Sequence, residues 1–563
     1  MNEIEKTILI IGGYGTFGGR LVQLLADEPR LTLIVAGRSR GKATQFCVGL
    51  PAAARLLPQS FDRDKNLDAQ LAEIKPDIVV DATGPFQSYG NDPYRLVKAC
   101  LKQNINYLDF ADGSDFVRGI AQFDDEAKAR NIFILSGVSS FPVLTAAVLR
   151  ELSHGMASVT SLSAGIAPSP YAGVGLNVIR AIAGYAGKPV KLVRDGHPSN
   201  GYALTEVKRY TISPPGRLPL HNIRFSLVDV PDLQLIPDMV PGLKSLWIGA
   251  GPVPEILHLA LGVLAWLVRF RILPSLSPFA RLFFKAINIL RWGEHRGGMF
   301  VSIEGADDHG YKIERSWHLL AEADDGPLIP SMAIEAVVRH FLSGRIPVAG
   351  ARPATDALVL ADYDALFARR TIYTGRRETN LRIQTEPLYR QLLGEAWAGL
   401  QEPIKAMHNI NGHMTAKGRA SIERGTSFLS RIAAAVVGFP TAMQDCPVEV
   451  SFDVVAGGEV WRRTLGVQSF SSVQKAGRGR SHWLLSERFG PLTFGLALVL
   501  DEGKLRLVMR RWSFLGLPLP LALAPRGDAY ESIENGLFHF HVEITHPLTG
   551  LIVRYRGWLK PDN

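Results

Sequence analysis

The sequence predicts an α/β protein: a doubly wound parallel sheet, then an α+β region with an antiparallel sheet, then a β-rich region. Three observations predict it. Residues 8–26, "ILIIGGYGTFGGRLVQLLA", run from a continuous apolar strand through a knot of glycines into an amphipathic helix. Strand-like and helix-like patterns then alternate as far as about residue 155, the signature of a wound parallel sheet. Beyond residue 385 a helical stretch, 387–408, gives way to apolar–polar alternation with period two, which marks half-buried antiparallel strands. At 563 residues the chain is too long for one ordinary core. The expected division is 1–155, 156–375 and 385–563.

Composition sets limits on function. The chain is 47% hydrophobic and 20% charged, as globular proteins are. Its formal charge of +9 is mild, and Lys and Arg are scattered among Asp and Glu. That pattern argues against a nucleic-acid partner and suits an anionic ligand or lipid surface. Cys47, Cys100 and Cys446 are far apart and form no CxxC or Cys/His cluster, so no metal site is expected. So few cysteines suit a reducing, cytoplasmic setting. The polar residues 1–7 do not read as a signal peptide.

The first strand ends in Gly13-Tyr14-Gly15-Thr16-Phe17-Gly18, a G-x-G-x-x-G. Gly13 is read as the tight turn. Gly15 lets a pyrophosphate approach the main chain, and Gly18 lets helix and strand pack closely. The helix start adds free N–H groups and a partial positive charge. A glycine-rich turn alone is weak evidence; a strand before it and a helix after it make it a dinucleotide site, the Rossmann type. The second strand, residues 31–36, ends in Gly37-Arg38-Ser39 with no acid. An NAD site usually places Asp or Glu there, on the ribose 2′-OH. Arg38 and Ser39, with Lys42 beyond, suit a 2′-phosphate instead, so the expected cofactor is NADP. Ordinary solvated loop cations are the plainer reading.

The fourth strand, "PDIVVDATGPF", ends in Thr83-Gly84-Pro85. Ligands of open α/β sheets lie beyond the carboxyl ends of the strands, so this turn should meet the nicotinamide half. Residues 104–116 and 131–152 supply two more strands, ending near Asp109 and Asp112 and in a Gly-Ser turn. Hydride transfer to C=O, C=N or C=C leaves an anion that needs a proton. The candidate donors are Tyr89, Asp112 and Tyr171. Each has a plainer role: Tyr89 and Tyr171 as amphipathic core residues, Asp112 at a turn or helix start.

The elements "GGYGTFGG", "AGRS", "DATGPFQSYG", "YLDFADG" and "GVSSFP", in that order, resemble the NADP-binding half of the saccharopine dehydrogenase-like (saccharopine reductase-like) oxidoreductases. The resemblance continues through residues 303–353. There it implies a substrate and dimerisation domain built on an antiparallel sheet, and with it a homodimer. Such relatives include amino-acid reductases and lipid-modifying enoyl reductases. The resemblance therefore implies an NADP(H)-dependent oxidoreductase, a reductase by class, without fixing its substrate. A protein that binds NADP(H) as a sensor or scaffold, without turnover, is the alternative.

Residues 246–292 are apolar with recurring basic residues. "ILHLALGVLAWLV", 256–268, has no formal charge but is shorter than the roughly 20 residues of a membrane span. In residues 278–292, Arg281, Lys285 and Asn288 form a narrow polar stripe among aromatics. Two covers fit: a lid over a hydrophobic substrate or a dimer interface on one side, or peripheral contact with the inner face of a membrane on the other. Residues 371–387 read as a linker. In the last third, "WRRTLG", "ERFG", "PLPLALAP" and "HPLTGLIVRYRGWL" resemble a bacterial domain of unknown function, which implies architecture only. It either encloses a hydrophobic ligand or serves as a structural or docking module. His539 and His541 share the sheet face opposite Phe538 and Phe540, read as solvated rather than metal-binding.

Overall fold

A computed structural model describes residues 5–252, 254–380 and 386–562. Residues 1–4 of the polar N-terminal stretch and 381–385 of the expected linker lie outside the described residues. The remainder of that linker, Ile372–Asn380, is a strand. The chain forms two compact units, residues 1–208 with 224–373, and 209–223 with 374–563.

In the first unit, six strands alternate with helices. They are β1 (Lys6–Ile11), β2 (Leu31–Gly37), β3 (Arg55–Ser60), β4 (Ile78–Asp81), β5 (Asn106–Asp109) and β6 (Phe133–Ser136). Their spatial order is β6-β5-β4-β1-β2-β3, every pair parallel, which is the doubly wound order of dinucleotide-binding sheets. β1 and β4 have fully buried apolar centres because helices cover both faces. Helix α1 (Thr16–Leu25) follows β1 and α2 (Arg40–Val48) follows β2. The strand Gly350–Pro353, read with the second domain, returns to this sheet and pairs in parallel with β6. The helix Ile329–Leu342 packs on α1: Ser331 Oγ donates to Phe17 O at 3.1 Å and Arg339 to Leu24 O at 2.9 Å. Two segments more than 300 residues apart thus share one layer.

The second sheet of this unit begins with β7 (Ser158–Ala167). β7 pairs antiparallel with Gly297–Ala306, which pairs antiparallel with Lys312–Ala321. Ser245–Ala250 runs parallel to β7, so the expected antiparallel sheet is mixed. Three helices stand beside it: α3 (Leu176–Tyr185), α4 (Glu255–Arg269) and α5 (Ala280–Ile289). Among the described residues no helix is long and apolar enough to cross a membrane.

The second unit is an antiparallel barrel. Ten strands between His413 and Pro561 close on themselves where Leu492–Asp501 pairs with Lys504–Phe514. Closure removes the edges that an open sheet would leave. The short helices Leu388–Leu393 and Glu402–His408 add Tyr389, Ile404 and Met407 to the barrel's core. Tyr389 stacks on His408 at 3.7 Å, and His408 Nε2 lies 2.6 Å from Glu531. His539 lies 3.8 Å from Glu534, and His541 stacks on Tyr530.

Candidate functional site

A cavity of about 970 Å³ lies within the first unit, at the carboxyl ends of the parallel strands. It is at the top of the roughly 300–1,000 Å³ span of small-molecule sites. Its two ends differ in construction.

One end is main chain. The positive φ of the first turn, +84°, belongs to Gly12, the residue before Gly13. A Cβ on Gly12 would stand 2.8 Å from Ala82 O, so the turn must stay bare where β1 passes β4. Gly13 has its own constraint: its Cβ would stand 2.8 Å from Ile10 O. Gly18 behaves as expected, because a Cβ there would meet Gly12 O at 2.3 Å. At Gly15, Gly12 O at 3.0 Å is the sole near neighbour, and the residue lines the cavity with Tyr14, Thr16 and Phe17. This bare cradle at the start of α1 fits a pyrophosphate. Arg20, from the second turn of α1, donates to Ala172 O at 2.7 Å and holds the loop 168–175 over the turn.

Of the three residues expected at a 2′-phosphate, the structure brings only Arg38 to the cavity, where it is exposed. Ser39 does not line it. Its hydroxyl caps α2 by accepting from Lys42 N, and its own N–H donates to Tyr14 Oη at 3.2 Å. Lys42 is exposed, in the first turn of α2, and also off the lining. Asp62 and Asp64, from the turn after β3, line the same end. Thr83, Gly84 and Pro85 line the cavity, and Asn177 of α3 donates to Thr83 O and Gly84 O at 3.2 and 2.9 Å.

Tyr89 and Asp112 line the middle of the cavity. The Tyr89 hydroxyl is 2.7 Å from Thr83 Oγ1 and 3.2 Å from Asp81, and the Arg63 guanidinium lies 3.2 Å over its ring. Burial, reinforced by the Asp81 charge, pushes its pKa well up. Its hydrogen bonds are thereby committed to the floor of the site. Asp112 accepts from Gln87 Nε2 at 3.1 Å. Burial raises its pKa, and the neighbouring Asp229 adds to the rise. Tyr171 is not on the lining; its ring packs edge-on against His295 at 4.6 Å.

Sequence reasoning missed two groups here, Asp229 and Tyr185, and read a third, His258, as structural. Asp229 accepts from Ser114 Oγ at 2.8 Å, and burial raises its pKa. Tyr185, the last residue of α3, has its pKa pushed up by burial and then by Asp112 and Asp229. His258 of α4 lies 2.7 Å from Ser226 Oγ. All three line the cavity with Asp112. The available signal was the helical face of α3, on which Tyr185 follows Val178, Ile182 and Ala181 toward the cavity.

The far end is side chain. Val178 and Ile182 of α3, Leu261 and Leu264 of α4, and Phe283 and Ile287 of α5 form an apolar wall. The apolar middle of the sequence therefore covers a cavity with one of its faces.

Residues 8–135 match the saccharopine dehydrogenase NADP binding domain, and residues 400–559 match a domain of unknown function, DUF4166. The residues that build the parallel sheet thus match an NADP-binding domain model, in keeping with the sheet's dinucleotide-binding strand order. No curated protein sequence matches the chain. Among solved structures, saccharopine dehydrogenase (L-Glu forming) from Saccharomyces cerevisiae is 14% identical, with a TM-score of 0.45, over 66% of this chain and 100% of that one. A probable dehydrogenase from Thermotoga maritima is 11% identical, TM-score 0.31, over 67% and 99%. Biliverdin reductase from Synechocystis sp. PCC 6803 is 12% identical, TM-score 0.28, over 61% and 92%.

Proposed function

We propose that the protein is an NADP(H)-dependent reductase of a bulky, apolar substrate. One observation carries the proposal. A single cavity joins a bare glycine cradle to an apolar wall, with titratable groups between them. The cradle of Gly12, Gly15 and the start of α1 would hold the pyrophosphate, and Arg38 would face the 2′-phosphate. Bound NADPH supplies a hydride.

The protein's own groups manage the charge that follows. Asp112 is held toward its protonated form by burial and by Asp229. It is therefore suited to give a proton to the reduced substrate and to recover one from solvent. Tyr185, kept neutral by burial, donates a hydrogen bond to a developing oxyanion or enolate. The wall formed by α3, α4 and α5 excludes water and accepts acyl or ring carbon. Tyr89, committed to Thr83 and Asp81, orients the β4 turn.

The test is a screen of NADPH oxidation against apolar enoyl, imine and carbonyl compounds, repeated with NADH. Turnover of an apolar substrate with NADPH supports the reading. Tight NADPH binding with no turnover of any class would favour the sensor alternative. Asp62 and Asp64 at the adenosine end give NAD a specific argument of its own, because carboxylates repel a 2′-phosphate. Equal or better turnover with NADH would assign that cofactor.

A further inference from the structure

The helix α4 is apolar all round, and its three faces have different surroundings. His258, Gly262, Ala265 and Val268 are buried against the protein. Leu257, Leu261 and Leu264 line the cavity. Ile256, Leu259, Val263, Trp266 and Phe270, at i, i+3, i+7, i+10 and i+14, form a third stripe along the outside. α5 repeats the division: Phe283 and Ile287 face the cavity, while Leu282 and Ile289 face out. The outward side chains are 38–77% exposed, and none of them lines the cavity. A helix apolar on every face belongs in a core or against lipid. A contiguous exposed apolar stripe on a soluble surface marks an interaction site.

Charge selects the occupant. Residues 255–294 contain five Arg or Lys and two acids, Glu255 and Glu294, one at each end. Arg269 is engaged within the fold, where it stacks on Tyr202 at 4.1 Å and donates to Thr205 at 3.2 Å. Arg271, Arg281 and Lys285 are exposed and have no acidic partner among the described residues. Arg291, also exposed and just past the end of α5, donates to Asn288 of that helix. A second copy of this face would bring cations against cations. Apolar side chains with Trp266 and Trp292 among them, rimmed by unpaired cations, match a bilayer with anionic headgroups.

We propose that the outward face of α4 and α5 docks the protein on an anionic lipid bilayer, without spanning it. The stripe enters the headgroup–acyl boundary while Arg271, Arg281, Lys285 and Arg291 meet phosphates. Docking places the apolar end of the cavity about one helix diameter, roughly 10 Å, from lipid. The proposal concerns binding alone and stands whatever reaction the cavity performs.

The full chain is sedimented with vesicles of phosphatidylcholine plus phosphatidylglycerol, and with vesicles of phosphatidylcholine alone. Binding should favour the anionic vesicles and fall with added salt. Arg281→Glu with Lys285→Glu should reduce it about tenfold or more, since each cation near an anionic surface matters by about fivefold. Val263→Ser with Leu282→Ser should reduce it on both vesicle types. NADPH affinity, unchanged in both double variants, shows that they fold. The proposal is overturned if the unmodified protein ignores anionic vesicles at low salt. It is also overturned if sedimentation equilibrium shows a dimer that Val263→Ser with Leu282→Ser converts to a monomer, which would assign the face to a second copy.

Discussion

The two ends of the cavity are made of different material. At the nucleotide end the surface is bare backbone: Gly12 has a left-handed φ, Gly18 has no room for a side chain, and Gly15 has only the main chain of Gly12 close by. At the apolar end, side chains from three helices make a wall, and the backbone serves only to aim them. A site made of backbone tolerates no added atoms and reads the same chemistry wherever it occurs. A site made of side chains can be resized residue by residue. One fold can therefore keep its cofactor and change its substrate.

The largest expected effect lies where the two ends meet. Asp112→Asn should lower kcat by about 10²–10⁴-fold, the usual contribution of a positioned acid, with NADPH affinity unchanged. The sign of the pH dependence follows from the raised pKa: Asp112 must carry its proton, so the rate falls as pH rises through that value. The variant should lose this limb of the profile, as stopped-flow measurements of NADPH oxidation across pH would show. Stability has the same sign. Burial pushes both Asp109 and Asp232 up to about 7 from 3.8. The fold is favoured at acid pH and progressively loses that contribution as pH climbs through about 7. Urea midpoints that rose across this window would contradict it.

Next comes the backbone end. Gly18→Ala places a carbon 2.3 Å from Gly12 O, which is main chain and cannot swing aside. The expected cost is about 1–3 kcal/mol of stability, typical of overpacking. Cofactor binding should be lost with it, as read by urea unfolding and by NADPH fluorescence. A variant that bound NADPH normally would mean that α1 can slide, and the contrast with the apolar end would weaken.

How much of this was legible follows the same division. The glycine knot and the alternation of strands with helices are local patterns, readable along the chain, although β3 itself is not. The sequence does not show that Gly12 carries the left-handed φ beside the Gly13 turn, because neighbouring glycines look alike until the pairing of β1 with β4 shows which of them faces Ala82. Ser39 was read as a ligand group because position along the chain does not reveal that its hydroxyl is used to start α2. Tyr185 and Asp229 went unseen because no sequence spacing joins them to Asp112; the pleat of one sheet and the face of one helix do. The return of Gly350–Pro353 to the first sheet was hidden for the same reason. The barrel's strands were readable by alternation, while its closure depends on a pairing that alternation cannot state.

Arg38 sharpens the cofactor end. As the sole member of the expected phosphate set on the cavity lining, it should account for most of the preference for NADPH over NADH. Loss of a charge-assisted bond of about 1.5–3 kcal/mol predicts that Arg38→Ala weakens NADPH about 10–150-fold and leaves NADH nearly unchanged. Paired titrations measure both. Equal losses for the two cofactors would mean that Arg38 supports the fold of the turn instead of reading the phosphate.

The smallest effect tests the apolar end. Leu264 lines the cavity from α4, on the face between the buried and the outward stripes. Because its side chain already borders open space, Leu264→Ala enlarges the cavity without leaving a sealed void in a core. Its cost to stability should be at the low end for a leucine truncation, about 2 kcal/mol or less. A substrate that packs against this wall would lose contact with three carbons, so KM should rise by about tenfold, the value of one or two methylene groups in a hydrophobic pocket. NADPH affinity should not change, because no part of the glycine cradle is touched. Replacing Leu264 by Phe should shift selectivity toward a shorter substrate by a similar factor. A change in NADPH affinity in either variant would show that the two ends are coupled through α3, whose Asn177 holds the β4 turn while its Ile182 forms part of the wall.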